Sequence, residues 1–142
     1  MEKEKILVSA CLLGTNCKYD GNNNKNDKVL NYLKDKEIIP ICPEILGGLT
    51  TPRNPSEIVG DKVITNNNKD VTKEYKKGAE ETLYLAKLLN VNKALLKESS
   101  PSCGSNKIYD GTFTHNKING MGITARLLKE NGIEIISEEE IK

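Results

Sequence analysis

Short, almost wholly apolar runs alternate with longer amphipathic stretches along this chain. Lys5-Ile6-Leu7-Val8-Ser9-Ala10, residues 37–42, residues 93–97 and Ile133–Ile136 are too short for helices and read as strands. Between them the period changes to that of a helix. Val29, Leu30 and Leu33 predict a helix from Asp27, its expected N-cap, to about Lys36. Val71, Tyr75, Gly78, Ala79, Thr82, Leu85, Ala86 and Leu89 form one stripe on a helix of about Val71 to Asn90, with Asp70 or Thr72 as cap. A last helix spans about Gly122 to Glu130, with Gly132 as C-cap. Alternating strands and helices make the strands parallel neighbours. The fold expected is a three-layer, Rossmann-like α/β sandwich with a mostly parallel sheet of about four strands, in a single domain over residues 1–142.

Two small hairpins decorate that frame. Glu57-Ile58-Val59 and Lys62-Val63-Ile64 flank a Gly60-Asp61 turn, and Ile108 to Phe113 reads as a second hairpin with Asp110-Gly111 at its turn. The stretch from Gly47 to Pro55 is too long and too rich in Gly and Pro for a mere connector, so a binding role is expected of it.

Three of the four cysteines follow predicted strands: Cys11 the first, Cys42 the second, Cys103 the third. The carboxyl ends of parallel strands share one edge of the sheet, where open α/β folds place their ligands. No Cys-x-x-Cys pair exists, which argues against thioredoxin-like exchange and most zinc ribbons. Soft donors scattered over several strand ends suit a metal or an iron–sulfur cluster. A nucleophilic or redox thiol and inert core thiols stay open as alternatives, and Cys17 can be a ligand, a neighbour of ligands or a bystander. Glu44, two residues past Cys42, is a candidate acid or base, held protonated if the surroundings are apolar. Arg53 either holds an anion or carbonyl, or pins its loop to an acid. His115, the sole histidine, is expected to be exposed in a polar loop.

Composition narrows the function. A net charge of +1, with both signs spread along the chain, excludes a nucleic-acid binder by bulk electrostatics. Trp is absent and Phe113 is the only Phe, so a stacking platform for single strands is not expected either. No apolar stretch nears the roughly 20 residues that cross a bilayer, and the alternating charges of Met1 to Lys5 are not a signal peptide. A cytoplasmic location is expected, where thiols stay reduced and four cysteines point to metal binding or catalysis rather than disulfides.

A set of segments carries a family resemblance: Ser9-Ala10-Cys11-Leu12-Leu13-Gly14, Cys17-Lys18-Tyr19-Asp20-Gly21, Cys42-Pro43-Glu44, Thr51-Pro52-Arg53, Ser100-Pro101-Ser102-Cys103-Gly104 and Ile108-Tyr109-Asp110-Gly111. From about residue 6 to residue 138 the chain resembles the bacterial family whose characterised members are 2-thiouracil desulfurases. The resemblance implies a [4Fe–4S] cluster held by Cys11, Cys42 and Cys103 with one iron open, Cys17 matching a family cysteine of open role. It also implies Glu44 as catalytic acid, and Ser100 or Ser102 as catalytic serine, with Ser100 favoured. His115-Asn116-Lys117 departs from the family pattern, which is usually smaller there. The implied substrate is a small thiolated heterocycle, desulfurised without net electron transfer by a monomer or small homo-oligomer. A metal- or anion-binding regulatory module without catalysis is the alternative.

Overall fold

The computed structural model describes residues 3–141. Four strands, β1 (Lys5–Ser9), β2 (Glu37–Ile41), β5 (Lys93–Leu96) and β8 (Glu134–Ser137), form one parallel sheet in the order β2-β1-β5-β8. Ile6 and Val8 face one side with Leu95, over Val29 of α1 (Asp27–Tyr32) and its C-cap Leu33. Leu7, Ala94 and Leu96 face the other, over Ala86 of α3 (Thr72–Leu88) and Ala125 and Leu128 of α4 (Ile123–Glu130). Burial on both faces is why the central strands β1 and β5 read as continuous apolar runs, whereas the edge strands β2 and β8 are partly exposed, Ile38 of β2 among them. Pro40, which has no N–H to give, sits in β2 at the edge of the sheet, where a strand tolerates it.

The strand order reverses at β1. From β1 the chain crosses through α1 to β2 on one side, then returns through α2 (Pro43–Leu46), the β3–β4 hairpin (Ser56–Val59 and Lys62–Thr65) and α3 to β5 on the other side. Loops leaving such a switch point diverge and open a crevice at the carboxyl ends.

Several boundaries differ from the sequence reading. Strand β1 stops at Ser9, because residues Ala10–Leu13 wind into a 3-10 turn that carries Cys11. Asn26 rather than Asp27 caps α1, its side chain accepting from the N–H groups of Lys28 and Val29, and the helix ends at Tyr32. Asp70 does accept from the N–H of Thr72, while the Thr72 hydroxyl accepts from Val63 and ties α3 to β4. Asn131 rather than Gly132 is the C-cap of α4. Gly132, at φ +83°, follows it in a Schellman closure, with its N–H on the Lys129 carbonyl and that of Ile133 on Leu128.

The second hairpin is the largest correction. Strands β6 (Lys107–Tyr109) and β7 (Lys117–Asn119) pair, so Asp110-Gly111 is no two-residue turn but the start of a loop over 110–116. A distant carboxylate overrides the local turn signal: Glu57 of β3 accepts from the N–H groups of Gly111 and Phe113 and draws the loop out.

Candidate functional site

A cavity of about 540 Å³ opens at the carboxyl ends of β1, β2 and β5, and all four cysteines line it. Cys11 arrives on the 3-10 turn after β1, Cys42 as the residue preceding α2, and Cys103 in the loop after β5. Cys17 comes from the loop after the 3-10 turn and is buried.

Each thiol has a distinct environment. Burial pushes the Cys103 thiol up, and the Ser102 hydroxyl oxygen lies 3.5 Å from its sulfur. Burial also raises Cys11, against an opposing hydrogen bond from the Asn24 amide to its sulfur at 3.4 Å. Cys17 and Cys42 act as a pair. The Cys17 thiol donates to the Cys42 sulfur, which raises Cys17 and brings Cys42 down to about 7.

Cys42 and Glu44 owe their position to a close helix contact. α2 lies against α3 at Gly47 and Gly78: a Cβ on Gly47 would collide with the Glu74 carbonyl oxygen, and one on Gly78 with that of Pro43. Two glycines thus allow the backbones to touch, and a helix that is otherwise a connector becomes a fixed platform.

Glu44 is the centre of the polar network. Its Oε2 accepts from Arg53 Nη2 at 2.5 Å, and its Oε1 from the hydroxyls of Ser102 and, at 3.3 Å, Ser100. The acid and the arginine keep only 15% and 9% of their side-chain surface, so the pair is poorly screened. Every one of these neighbours presents hydrogen to the carboxylate. Apolar surroundings are not what the structure shows here; hydrogen-bond donors gather around the carboxylate. Arg53 also donates to the Cys17 carbonyl at 3.0 Å, and through Nη1 to Thr50 and Thr51. Both anticipated kinds of partner are engaged from within the chain: the guanidinium pins its loop to the acid Glu44 and holds the Cys17 and Thr50 carbonyls.

The two serines are not equivalent. Ser100 lines the cavity, and its Oγ accepts from the N–H groups of Ser102 (3.1 Å) and Cys103 (3.2 Å). Ser102 is 1% exposed and lies behind it, with 2.9 Å between the hydroxyls. The geometry allows a proton path from cavity to carboxylate, Ser100 to Ser102 to Glu44.

Three participants escaped the sequence reading. Glu98, 4% exposed, accepts from the N–H groups of Ser99, Ser105, Asn106 and Lys107 and from the side chains of Ser105 and Asn106. These bonds hold its carboxyl at about 2, despite burial acting the other way, and they fix both ends of the loop bearing Ser100, Ser102 and Cys103. Tyr75, read as core, does pack in the stripe, yet it also lines the cavity, its phenol pushed well up by burial and so kept as a donor. Asn24 gave no signal beyond a polar loop. His115 is exposed as expected, but it reaches the cavity.

The donor set can be tested against a metal group. Among the described residues, no three His, Cys, Asp or Glu side chains converge as they would on one metal ion. A cubane takes its ligands on separate irons, so its thiolates stand apart around a cavity, and soft sulfur is the donor it prefers. Three thiols that leave three strand ends and line one cavity fit that group in donor type. Among the described residues, no helix is long and apolar enough to cross a membrane.

Comparison with known proteins agrees with this picture. The chain is 45% identical to the uncharacterized protein YbbK of Bacillus subtilis (strain 168), over 96% of this chain and 97% of that one. The solved structure of a [4Fe–4S]-dependent thiouracil desulfidase, TudS, superposes with a TM-score of 0.93 at 45% identity, covering 98% of this chain and 93% of that one. The sequence pattern described as 2-thiouracil desulfurase matches residues 6–140, so with a parallel sheet, a thiol-lined crevice and this match over nearly its whole length, the chain belongs to the 2-thiouracil desulfurase family.

Proposed function

We propose that the protein is a [4Fe–4S]-dependent desulfurase that converts a thiocarbonyl of a small heterocycle such as 2-thiouracil to a carbonyl, with water as co-reactant and hydrogen sulfide as product. The observation that carries this is the Glu44 network, set in the same cavity as the four thiols. Cys11, Cys42 and Cys103 would hold the cluster, with Cys17 donating to the Cys42 sulfur rather than ligating. When bound, the cluster supplies an open iron, a soft Lewis acid for a thiocarbonyl sulfur.

The chain's own groups supply the rest. Glu44, facing the cavity with donors behind it, accepts a proton from the attacking water, whose oxygen forms the new C–O bond. Arg53 holds the carboxylate in place and offsets its charge in a half-buried site. Ser100 meets the heterocycle, and the Ser100–Ser102 pair returns the proton as the C–S bond breaks. Atoms balance as C=S plus water to C=O plus hydrogen sulfide, with no change in oxidation state. No oxidant or reductant is required.

Anaerobic purification followed by incubation with 2-thiouracil tests the proposal. Brown protein with iron and sulfide in near-equal amounts and stoichiometric release of sulfide and uracil is the expected result. Colourless protein carrying a single zinc, with no sulfide released, favours a regulatory module and overturns the proposal.

A further inference from the structure

The loop over residues 110–116 brings aromatic side chains to the cavity, and nothing in the chemistry above uses them. Tyr109, Phe113 and His115 all line the cavity that holds the four thiols. We infer that Phe113, flanked by Tyr109 and His115, forms a stacking rim that grips the ring of a flat heteroaromatic substrate. The inference rests on the desulfurase reading and adds to it the residues that select an aromatic ring over other thioamides.

Four observations support it. Phe113 is the chain's only Phe, and it stands at this rim instead of in the core. Phe113 and His115 have φ of +59° and +63°, a region that bulky residues rarely enter and a glycine would occupy without strain. A side chain kept there against that cost is one the loop uses. The loop is also held in position: Glu57, 8% exposed, accepts from the N–H groups of Gly111 at 3.0 Å and Phe113 at 3.2 Å. Asp110 closes it from within, accepting from Thr112 and from the Asn116 amide at 2.8 Å. Finally, the Tyr109 and His115 rings meet edge to face, with centroids 6.5 Å apart and planes at 79°, which orients both. Rings on an oriented rim offer a π-face to any planar base, and stacking needs no hydrogen-bond pattern.

Anaerobic holoenzyme, with steady-state sulfide release and equilibrium binding of 2-thiouracil measured together, tests the rim. Leu at position 113 keeps bulk and backbone strain but has no ring. For Phe113→Leu the KM and the dissociation constant are expected to rise about tenfold, with kcat moved less than threefold and the cluster absorption unchanged. Phe113→Tyr restores both constants, which a purely structural role for the loop would not require. His115→Ala, at an exposed position, is expected to raise KM by a smaller factor of about three. A KM within twofold of wild type in Phe113→Leu, or in His115→Ala should the first variant not fold, overturns the inference, as does a loss confined to kcat with an altered cluster spectrum. Wild-type protein that binds 2-thiouracil in a Phe113-dependent way yet releases no sulfide counts against the desulfurase reading alone.

Discussion

Glu44 faces the cavity with the donors Arg53, Ser100 and Ser102 around its carboxylate, and removing its charge tests its role most directly. Glu44→Gln keeps the size of the side chain but loses the proton acceptor, so sulfide release is expected to fall about 100-fold or more while iron and sulfide per chain stay at wild-type levels. Unchanged turnover in that variant would remove Glu44 from the chemistry. The serines separate in the same way. Ser102→Ala interrupts the path to the carboxylate but leaves Ser100 within 3.3 Å of it, so a modest loss of kcat is expected with little change in melting temperature. Ser100→Ala also strips the acceptor from two backbone N–H groups, so activity and stability both fall, the latter by about 1–3 kcal/mol. Equal effects of the two substitutions on melting and on turnover would contradict this division.

Helix α2 shows how a connector becomes a platform. In a solvent-facing helix, replacing glycine by alanine would stabilise by about 1 kcal/mol. At Gly78 the added methyl meets the Pro43 carbonyl, and overpacking of about 1–3 kcal/mol or more outweighs that gain. Gly78→Ala is therefore expected to lower the melting temperature and, by displacing Cys42 and Glu44, to cost activity; a higher melting temperature would show that the helices separate freely. The Cys103 loop depends on Glu98, whose carboxyl is held at about 2 against an ordinary value of 4.5. A depressed folded-state value gives stability that is complete above about pH 4.5 and drains away as pH falls toward 2, of order 3 kcal/mol. Chemical denaturation of wild type and Glu98→Gln should differ fully at pH 6–7 and converge near pH 2; a gap that persists at low pH would assign the effect to packing. Neither device was legible in the sequence. Gly78 reads as part of a packing stripe, and Glu98 as a strand-end acid, because each is explained by a partner distant in the chain. The same holds for the 110–116 loop, where Asp-Gly carries a strong local turn signal that Glu57 overrules.

The parallel four-strand sheet, by contrast, was legible, since short apolar runs alternate with helical stretches and the crossover rule then makes the strands parallel; their order across the sheet was not. The gathering of Cys11, Cys42 and Cys103 at one cavity followed from that rule, without any local motif. Side-chain detail was not: which serine faces the cavity, and that Arg53 joins Glu44 to the Cys17 carbonyl, depend on loop paths that no period encodes. Serine in place of Cys11, Cys42 or Cys103 is expected to abolish iron retention, whereas Cys17→Ser, which keeps a donor toward Cys42, should retain it. Iron lost from Cys17→Ser as completely as from the others would make Cys17 a fourth ligand.

The three strand ends that bear those thiols lie far apart in the chain, and the last of these thiols follows β5, which pairs with β1. A growing polypeptide therefore has no container to fill until more than two thirds of it has been made. Any cofactor that needs all three sulfurs finds its full ligand set only late in synthesis, and a chain ending before residue 103 would lack one of those sulfurs along with α4 and β8, which close the core and the sheet.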